Sequence, residues 1–403
     1  MKIRSQIKNI LLLNICFLTL VGCASSEGGK NPPSQNEGED NNPPVESPNS
    51  EVTNVFFSEL YVGESVNDAI LEIGTTSKEP ISLRGYKVSF YGGKNLAYSY
   101  TFEDEIISKD KLVLFVNLES EFIDETSTII KLEDNYVCGR YYVELLDQND
   151  KYIDKMGMKG FNLEYIDEGS LVRLKEYQIA THEYEKLNFI KVRLGVKDYL
   201  GNLNAPLTLE TLLTGPRLDE STYGDLLFAS GSDAMGGYTE VTVSSLGDGD
   251  TTYFNYSESS GHPGRYSTRY LLIDTPEVDH GPNSSIKEEP WGNAAKKFNN
   301  DVLKKATSII VQSNASYALN ETYGRLLGYV WYTVDPNKSL ESYRLLNFEL
   351  TKAGLCEFSQ YDTYVTMYFN DIYYYNYLEY VYQIAKRDKI KIHGEVDPDY
   401  QKW

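Results

Sequence analysis

Two groups of carboxylates lie next to apolar runs in the second half of this 403-residue chain. Asp248 and Asp250 lie in "LGDGD", directly before the run "TTYF". Asp274 and Glu277 lie in "RYLLIDTPE", at the end of a second run. A hard cation such as Ca²⁺ is bound by several oxygens that converge from rigid strand ends. The pattern therefore predicts either a cation site or two solvated turns.

Other side chains near these carboxylates have the chemistry needed for attack on a phosphate ester. The carbonyl oxygen of Thr275 could join the two strand-end aspartates as a cation ligand. Glu277 could orient or deprotonate a water molecule. Arg269 and Arg325 could neutralise developing charge, because a guanidinium matches phosphate oxygens two at a time.

These residues can form one site only if the strands bring them together. "TTYFNY" and "RYSTRYLLID" predict strands around the loop "SESSGHPG", and a hairpin would bring Asp250 and Asp274 to the same end of a sheet. Simple alternation, however, places Arg269 and Asp274 on opposite faces, because they are five residues apart. We therefore expect the second strand to coil or bulge between them, as in a small, strongly curved barrel.

The rest of the pattern after residue 237 predicts three more strands and three helices. The strands are "YTEVTVSSL", "TSIIVQS" and "GRLLGYVWYTV". The helices are the amphipathic "EPWGNAAKKFNNDVLKKA", then "SYRLLNFELTKAG" and "DIYYYNYLEYVYQIAKRDKI". Five strands with helices between and after them fit a small barrel of the OB type.

Four motifs in this region resemble those of the staphylococcal-nuclease (thermonuclease) family in order and approximate spacing. They are "DGDT", "RYLLIDTPE", "WGNAAKKF" and "YGRLLGYVW". The resemblance covers about residues 238–394 and implies a Ca²⁺-dependent phosphodiesterase that acts on DNA and RNA. Matched by motif, it implies metal ligation by Asp250, Asp274 and Thr275, catalysis by Arg269, Glu277 and Arg325, nucleotide contact by Tyr323, and a carboxylate just outside the inner metal shell at Asp248.

The sequence also departs from that family at several positions. Thr322 stands where a basic residue is expected, and the loop after Glu277 is acidic. Tyr361 and Tyr364 lie near the place of base-flanking tyrosines without a clear register. The other interpretation is a non-catalytic surface lipoprotein that binds nucleic acid or another polymer.

Residues 51–206 show short strands separated by turns, which indicates a β-sandwich. "FFSELYVGESVNDAILEI", "EPISLRGYKV" and "YYVELLDQNDKYIDKMG", with "SLVRL" and "GNLNAP", resemble the lamin-tail family. That resemblance implies an immunoglobulin-like sandwich with a binding or spacer role. Glu59 and Glu72 are interpreted as solvated or strand-end carboxylates. Residues 207–237 are dense in turn formers and predict a linker to the barrel domain at residues 238–403.

The N-terminus predicts export. A basic start and the apolar run "ILLLNICFLTLVG" are typical of a signal peptide over residues 1–22. "LVGC" resembles a bacterial lipobox, which implies lipidation of Cys23 and an extracytoplasmic protein anchored to the cell membrane. Residues 23–50 contain almost no apolar side chain and predict a disordered tether.

Composition limits the partners. The 41% hydrophobic and 24% charged residues are those of a globular, here mainly β, multidomain protein. A formal net charge of −21 argues against a broad basic surface that coats DNA, although a small local site is compatible with it. Cys138 and Cys356 are far apart in sequence, so we expect no disulfide framework. No obligate protein partner is predicted.

Overall fold

The computed structural model describes most of the chain after residue 53. The described residues are 54–158, 169–193, 197–203, 207–218, 237–279, 281–282, 285, 288–314, 324–359 and 367–396. Several predictions lie outside them, namely those for the signal peptide, the tether, Cys23, Thr322, Tyr323, Tyr361 and Tyr364.

The first half of the described chain folds as two β-sheets. Apart from two short strands that pair with each other, the strands form a six-stranded sheet in the order β12-β11-β1-β2-β7-β8 and a four-stranded sheet in the order β10-β9-β4-β5. The strands are β1 Val55–Val62, β2 Ala69–Thr75, β3 Ile81–Ser82, β4 Lys87–Gly92, β5 Asn95–Thr101, β6 Ile106–Ile107, β7 Val113–Asn117, β8 Thr128–Leu132, β9 Tyr142–Leu146, β10 Tyr152–Met156, β11 Gly169–Arg173 and β12 Phe189–Val192. The immunoglobulin-like topology stays a prediction.

Apolar side chains from both sheets share one core, which includes Leu71 and Phe115 from the larger sheet and Phe90 and Leu145 from the smaller. A buried ion pair crosses this region. Asp154 Oδ2 accepts hydrogen bonds from Arg173 Nη2 at 2.5 Å and from the backbone N–H of Phe57 at 2.8 Å. Because both charges are buried and hydrogen-bonded, loss of either partner would leave the other uncompensated.

The interpretation of Glu59 and Glu72 as solvated carboxylates is wrong. They are opposite each other on β1 and β2, and each residue is only 1% exposed. Glu72 accepts hydrogen bonds from Ser58 Oγ at 2.6 Å and from the N–H of Gly201 at 2.5 Å. Among the described residues, neither carboxylate oxygen of Glu59 has a hydrogen-bond partner. Alternation in β1 did not reveal this burial, because the strand is covered on both faces.

The second half contains a closed β-barrel of five strands. The order β15-β14-β13-β17-β18 is antiparallel throughout, and a parallel pairing of β15 with β18 closes it. Its strands are β13 Tyr238–Leu246, β14 Thr251–Tyr256, β15 Gly264–Tyr270, β17 Ser308–Gln312 and β18 Leu326–Thr333. Short strands flank it, namely β16 Ile273–Asp274, β19 Arg344–Leu345, β20 Glu357–Phe358, β21 Tyr368–Phe369 and β22 Ile372–Tyr373. The predicted OB-type barrel is thus confirmed in its strand number and closure.

Four α-helices lie in the described part of the chain: α1 Leu209–Thr214, α2 Gly292–Lys305, α3 Leu346–Lys352 and α4 Tyr374–Arg387. The last three match the three predicted helices. The short helix α1 was not predicted, since residues 207–237 were interpreted as a linker. Thr208 caps it by accepting a hydrogen bond from the N–H of Thr211, so the "TLET" stretch carries an N-cap signal.

The two halves meet through α4 and the end of the larger sheet. Tyr380 Oη donates to the carbonyl of Leu187 at 2.7 Å, and Asn376 Nδ2 donates to the carbonyl of Lys191 at 2.9 Å. Leu187 belongs to the same apolar cluster as the barrel core. The described residues from 54 to 396 accordingly form one compact unit.

Two further findings concern predictions made above. None of the described helices is long and apolar enough to cross a membrane. Cys138 and Cys356 both carry free thiols, and Cys356 is buried.

Candidate active site

The turn before β14 buries a carboxylate. Asp250 is 1% exposed, and its Oδ2 accepts hydrogen bonds from the backbone N–H of Thr275 at 2.6 Å and from Thr275 Oγ1 at 3.0 Å. Its Oδ1 accepts from Thr251 Oγ1 at 3.1 Å. Gly249 permits this close approach, because a Cβ there would lie 2.7 Å from Thr275 Oγ1. The start of β14 is therefore fixed to the segment after β16.

Arg269 connects the two aspartates. Its Nη1 donates to Asp250 Oδ1 and its Nη2 to Asp274 Oδ1. Nη2 also donates to the carbonyl of Ile273 at 3.2 Å. The predicted hairpin is confirmed, since Thr251 lies opposite Arg269 in the β14–β15 register. Asp250 and Asp274 thus face one positive charge at the same end of the sheet.

The expected break in alternation lies at Leu272. This residue has a φ of 67°, a left-handed conformation that is strained for a leucine. It separates β15 from β16, and β16 then pairs with β20 instead of with the barrel. Because the strand does not continue in register, Asp274 turns to the side of Arg269.

Burial and charge act against each other in this cluster. The pKa of Asp250 is raised to about 6, mainly by burial and further by the neighbouring carboxylates Asp248 and Asp274, while Arg269 and the Thr275 N–H oppose the rise. Burial lowers the pKa of Arg269, but Asp250 and Asp274 outweigh it, so this pKa lies above its ordinary value. The site thus has more negative than positive charge, which favours an additional cation.

Arg325 lies next to this cluster by strand register. It directly precedes β18, in which Leu326 pairs with Thr268 and Leu327 with Arg269. Side chains two residues apart share a face, so Arg325 lies on the face that carries Leu327 and Arg269. Strand spacing separates the Cα atoms of the two arginines by about 8 Å. Arg325 is half-buried.

Glu277 follows Asp274 by three residues and is half-buried. Its N–H donates to Glu289 Oε2 at 3.0 Å, and its carbonyl accepts from the N–H of Glu289 at 2.9 Å. Gly292, at the start of α2, packs against the same carbonyl, because a Cβ there would lie 2.2 Å from that oxygen. The backbone of Glu277 is therefore fixed against the helix.

One supporting residue was missed by the sequence analysis. Asn299 on α2 is fully buried; its Nδ2 donates to the carbonyl of Asp248 at 3.0 Å and to Thr252 Oγ1 at 3.1 Å, and its Oδ1 accepts from Tyr270 Oη at 2.9 Å. It lies one turn after the fully buried Ala295 on the inward face of α2. A polar asparagine on the apolar face of a predicted helix was the sequence signal that could have identified this residue.

The oxygens present fit a hard cation by their chemistry. Asp250 and Asp274 already share one cationic partner, and Asp248 Oδ1 is buried without a hydrogen-bond partner among the described residues. Ca²⁺ prefers carboxylate and carbonyl oxygens of this kind. In this arrangement of the described chain, however, no three or more His, Cys, Asp or Glu side chains are grouped as a ready-made metal site.

The comparison with protein families bears on this region. Residues 267–392 match the family described as staphylococcal nuclease homologue. The matched part is less than a third of the chain and contains Arg269, Asp274, Thr275, Glu277 and Arg325, whereas Asp248 and Asp250 precede it. No curated protein matches the chain.

The nuclease-homologue domain and the closed barrel support the same general conclusion. Together they indicate a nuclease-type hydrolase whose substrate is nucleic acid. The roles of the individual residues, including Tyr323 outside the described part, stay predictions.

Proposed function

We propose that the chain is a Ca²⁺-dependent nuclease that hydrolyses phosphodiester bonds of DNA and RNA. The observation that carries this proposal is the convergence of Asp250 and Asp274 on Arg269 at one end of the barrel. The family match over residues 267–392 supports the same reaction class.

Asp250, Asp274 and the carbonyl of Thr275 are the residues that would hold Ca²⁺. When bound, this ion supplies positive charge that stabilises the negative phosphate. The side chains of Thr251 and Thr275 fix the orientation of Asp250 through their hydrogen bonds. Asp250 thereby faces the site without the entropy cost of ordering a free side chain.

Arg269 and Arg325 would bind the non-bridging oxygens of the scissile phosphate. They lie on adjacent parallel strands and on one face, so two guanidinium groups can approach the same phosphate. Glu277 would accept a proton from the attacking water at a carboxylate oxygen, or orient that water. Its backbone contacts with Glu289 fix the position of the Glu277 backbone after β16.

The remaining predictions belong to the same proposal. Residues 1–22 act as a lipoprotein signal and Cys23 carries the lipid, so the protein is extracytoplasmic and attached to the cell membrane. Residues 23–50 form the tether. The lamin-tail-like residues 51–206 serve as an accessory binding or spacer domain.

Cleavage of single-stranded DNA by the purified protein, with Ca²⁺ and with chelator, tests this function. We expect Glu277→Gln to lower kcat by about 10²–10⁴-fold, the usual contribution of a positioned acid–base group. Glu258→Gln is the matched control, because Glu258 is exposed at the other end of the same hairpin. Its kcat should equal that of the unmodified protein.

A folded protein that shows no cleavage at any Ca²⁺ concentration would contradict the proposal. In that case binding of the same DNA, without turnover, would favour the non-catalytic surface lipoprotein. Equal losses in Glu277→Gln and Glu258→Gln would remove Glu277 from the reaction.

A further inference from the structure

A polar strip continues from the site along the outer face of β13, β14 and β15. Its members are the outward-facing side chains Ser244, Ser245, Tyr253, Asn255, Arg265 and Ser267, and we call it the Arg265 strip. The alternate residues Phe254, Tyr256, Thr268 and Tyr270 are buried. The strip is therefore one solvent-facing surface of the barrel wall.

Arg265 is held across this surface. Its Nε donates to Ser244 Oγ at 2.9 Å and its Nη2 to Ser245 Oγ at 2.8 Å. Its guanidinium lies over the ring of Tyr253, 4.3 Å from the ring centroid. These three contacts hold the group in place over the Tyr253 ring, so that its other side is directed away from that ring.

Among the described residues, Arg265 has no ion-pair partner. Arg173, Arg193 and Arg269, by contrast, each pair with an aspartate. Arg265 bonds only to serine hydroxyls, and among the described residues it pairs with no carboxylate and its Nη1 donates to no acceptor. In a chain of net charge −21, such an exposed, positioned cation favours an anionic ligand.

The strip is continuous with Arg269. Arg265, Ser267 and Arg269 alternate on one face of β15, opposite Asn255, Tyr253 and Thr251 on β14. Four residues of strand separate the two arginines, or about 13 Å. A nucleic-acid strand whose phosphate lies at Arg269 can therefore extend onto the strip.

We propose that the Arg265 strip binds the nucleotides that flank the scissile phosphate of a single-stranded nucleic acid. A base stacks on the open face of the Arg265 guanidinium, and Nη1 donates to a backbone phosphate. Tyr253 supports the guanidinium from below. This inference rests on the proposed function, because it takes its register from a phosphate at Arg269.

Substrate length tests the strip. Arg265→Ala should raise KM about tenfold for an eight-nucleotide single-stranded DNA, since stacking and one phosphate contact are lost. Its kcat should not change, and cleavage of a dinucleotide, which cannot reach the strip, should be unaffected. Arg84→Ala, at an exposed arginine of the two-sheet half, is the matched control and should leave all these values unchanged.

The proposal for the strip would be overturned if Arg265→Ala changed KM for the dinucleotide as much as for the octamer. It would also be overturned if the variant left KM unchanged for both substrates. If the unmodified protein cleaves neither substrate, the proposed nuclease fails while the strip can still be measured. Fluorescence anisotropy of a labelled octamer then decides: weaker binding by Arg265→Ala supports the strip, and equal binding overturns it.

Discussion

At the residue scale, the site depends on one arginine shared by two aspartates. The sequence predicted that these residues meet, because the hairpin signal and the end of the apolar run fix Asp250 and Asp274 at one sheet end. It did not predict that Arg269 contacts both of them. Motif spacing carries no information about which of several opposite charges pair.

The buried pair Glu59 and Glu72 gives a pH dependence of stability. Burial raises the pKa of Glu72 to about 7, and its hydrogen bonds with Ser58 and Gly201 only partly oppose this. Burial and the charge of Glu72 raise the pKa of Glu59 well above its usual range. The folded-state pKa values are raised above those of the unfolded chain. The contribution of these two carboxyl groups to the free energy of unfolding is therefore fully present below a pH of about 4.5 and is lost as the pH rises through about 7.

We expect the free energy of unfolding to fall by on the order of 3 kcal/mol between pH 4.5 and 8, which corresponds to the shift of Glu72. Urea unfolding at several pH values measures this. Glu72→Gln should remove much of the fall, whereas Glu79→Gln, at an exposed position near the end of β2, should retain it. The prediction would be contradicted if the free energy of unfolding did not change with pH. It would also be contradicted if that free energy fell equally with pH in the two variants.

At the scale of elements, the alternation of apolar residues in strands and the amphipathic pattern of helices predicted most of the barrel. "YTEVTVSSL" and "TTYFNY" coincide with β13 and β14. "RYSTRYLLID" was predicted as one strand but is divided into β15 and β16 at Leu272. Hydrophobic pattern alone cannot show this division, because Leu271, Leu272 and Ile273 are all buried.

Helix α2 positions the carboxylate turn through one amide. We expect Asn299→Ala to lower the free energy of unfolding by about 1–3 kcal/mol, because Tyr270 Oη and Thr252 Oγ1 lose a buried partner. It should also lower kcat, since the carbonyl of Asp248 is no longer held. Thermal unfolding and octamer cleavage measure the two effects.

The adjacent Asn300→Ala is the matched control for that experiment. Among the described residues, the buried Asn300 Oδ1 has no hydrogen-bond partner, so its removal leaves no group of the site unsatisfied. Equal losses in both variants would mean that helix propensity, and not the amide contact, determines the effect.

At the scale of the whole molecule, the two halves share an apolar cluster. The tyrosine-rich sequence "DIYYYNYLEYVYQIAKRDKI" predicted a helix, and in that helix Tyr377 and Tyr380 are buried. The surface against which this helix packs could not be predicted, because the apolar face of a helix does not specify which part of the chain covers it. The contact with the carbonyl of Leu187 comes from a separate part of the chain.

We therefore expect residues 54–396 to unfold in a single transition. Tyr380→Phe should remove about 1 kcal/mol from both halves, because it breaks the hydrogen bond that joins them. Amide hydrogen exchange in β1 and in β14 measures each half separately. Tyr382→Phe is the control, since its hydroxyl bonds to the exposed Glu357 of β20 and to no described residue of the two-sheet half. Loss of protection in β14 alone would mean that the two-sheet half folds independently.

The left-handed conformation of Leu272 makes the number of residues between Arg269 and Asp274 important. Along an unbroken strand, odd and even residue numbers mark opposite sides, so parity records the side of the sheet. The left-handed residue reverses this parity once between Arg269 and Asp274. A one-residue insertion or deletion that kept this left-handed turn would place Asp274 on the side opposite to Arg269. Whether Asp274 can contact Arg269 therefore depends on the number of residues between them as much as on the identity of those residues.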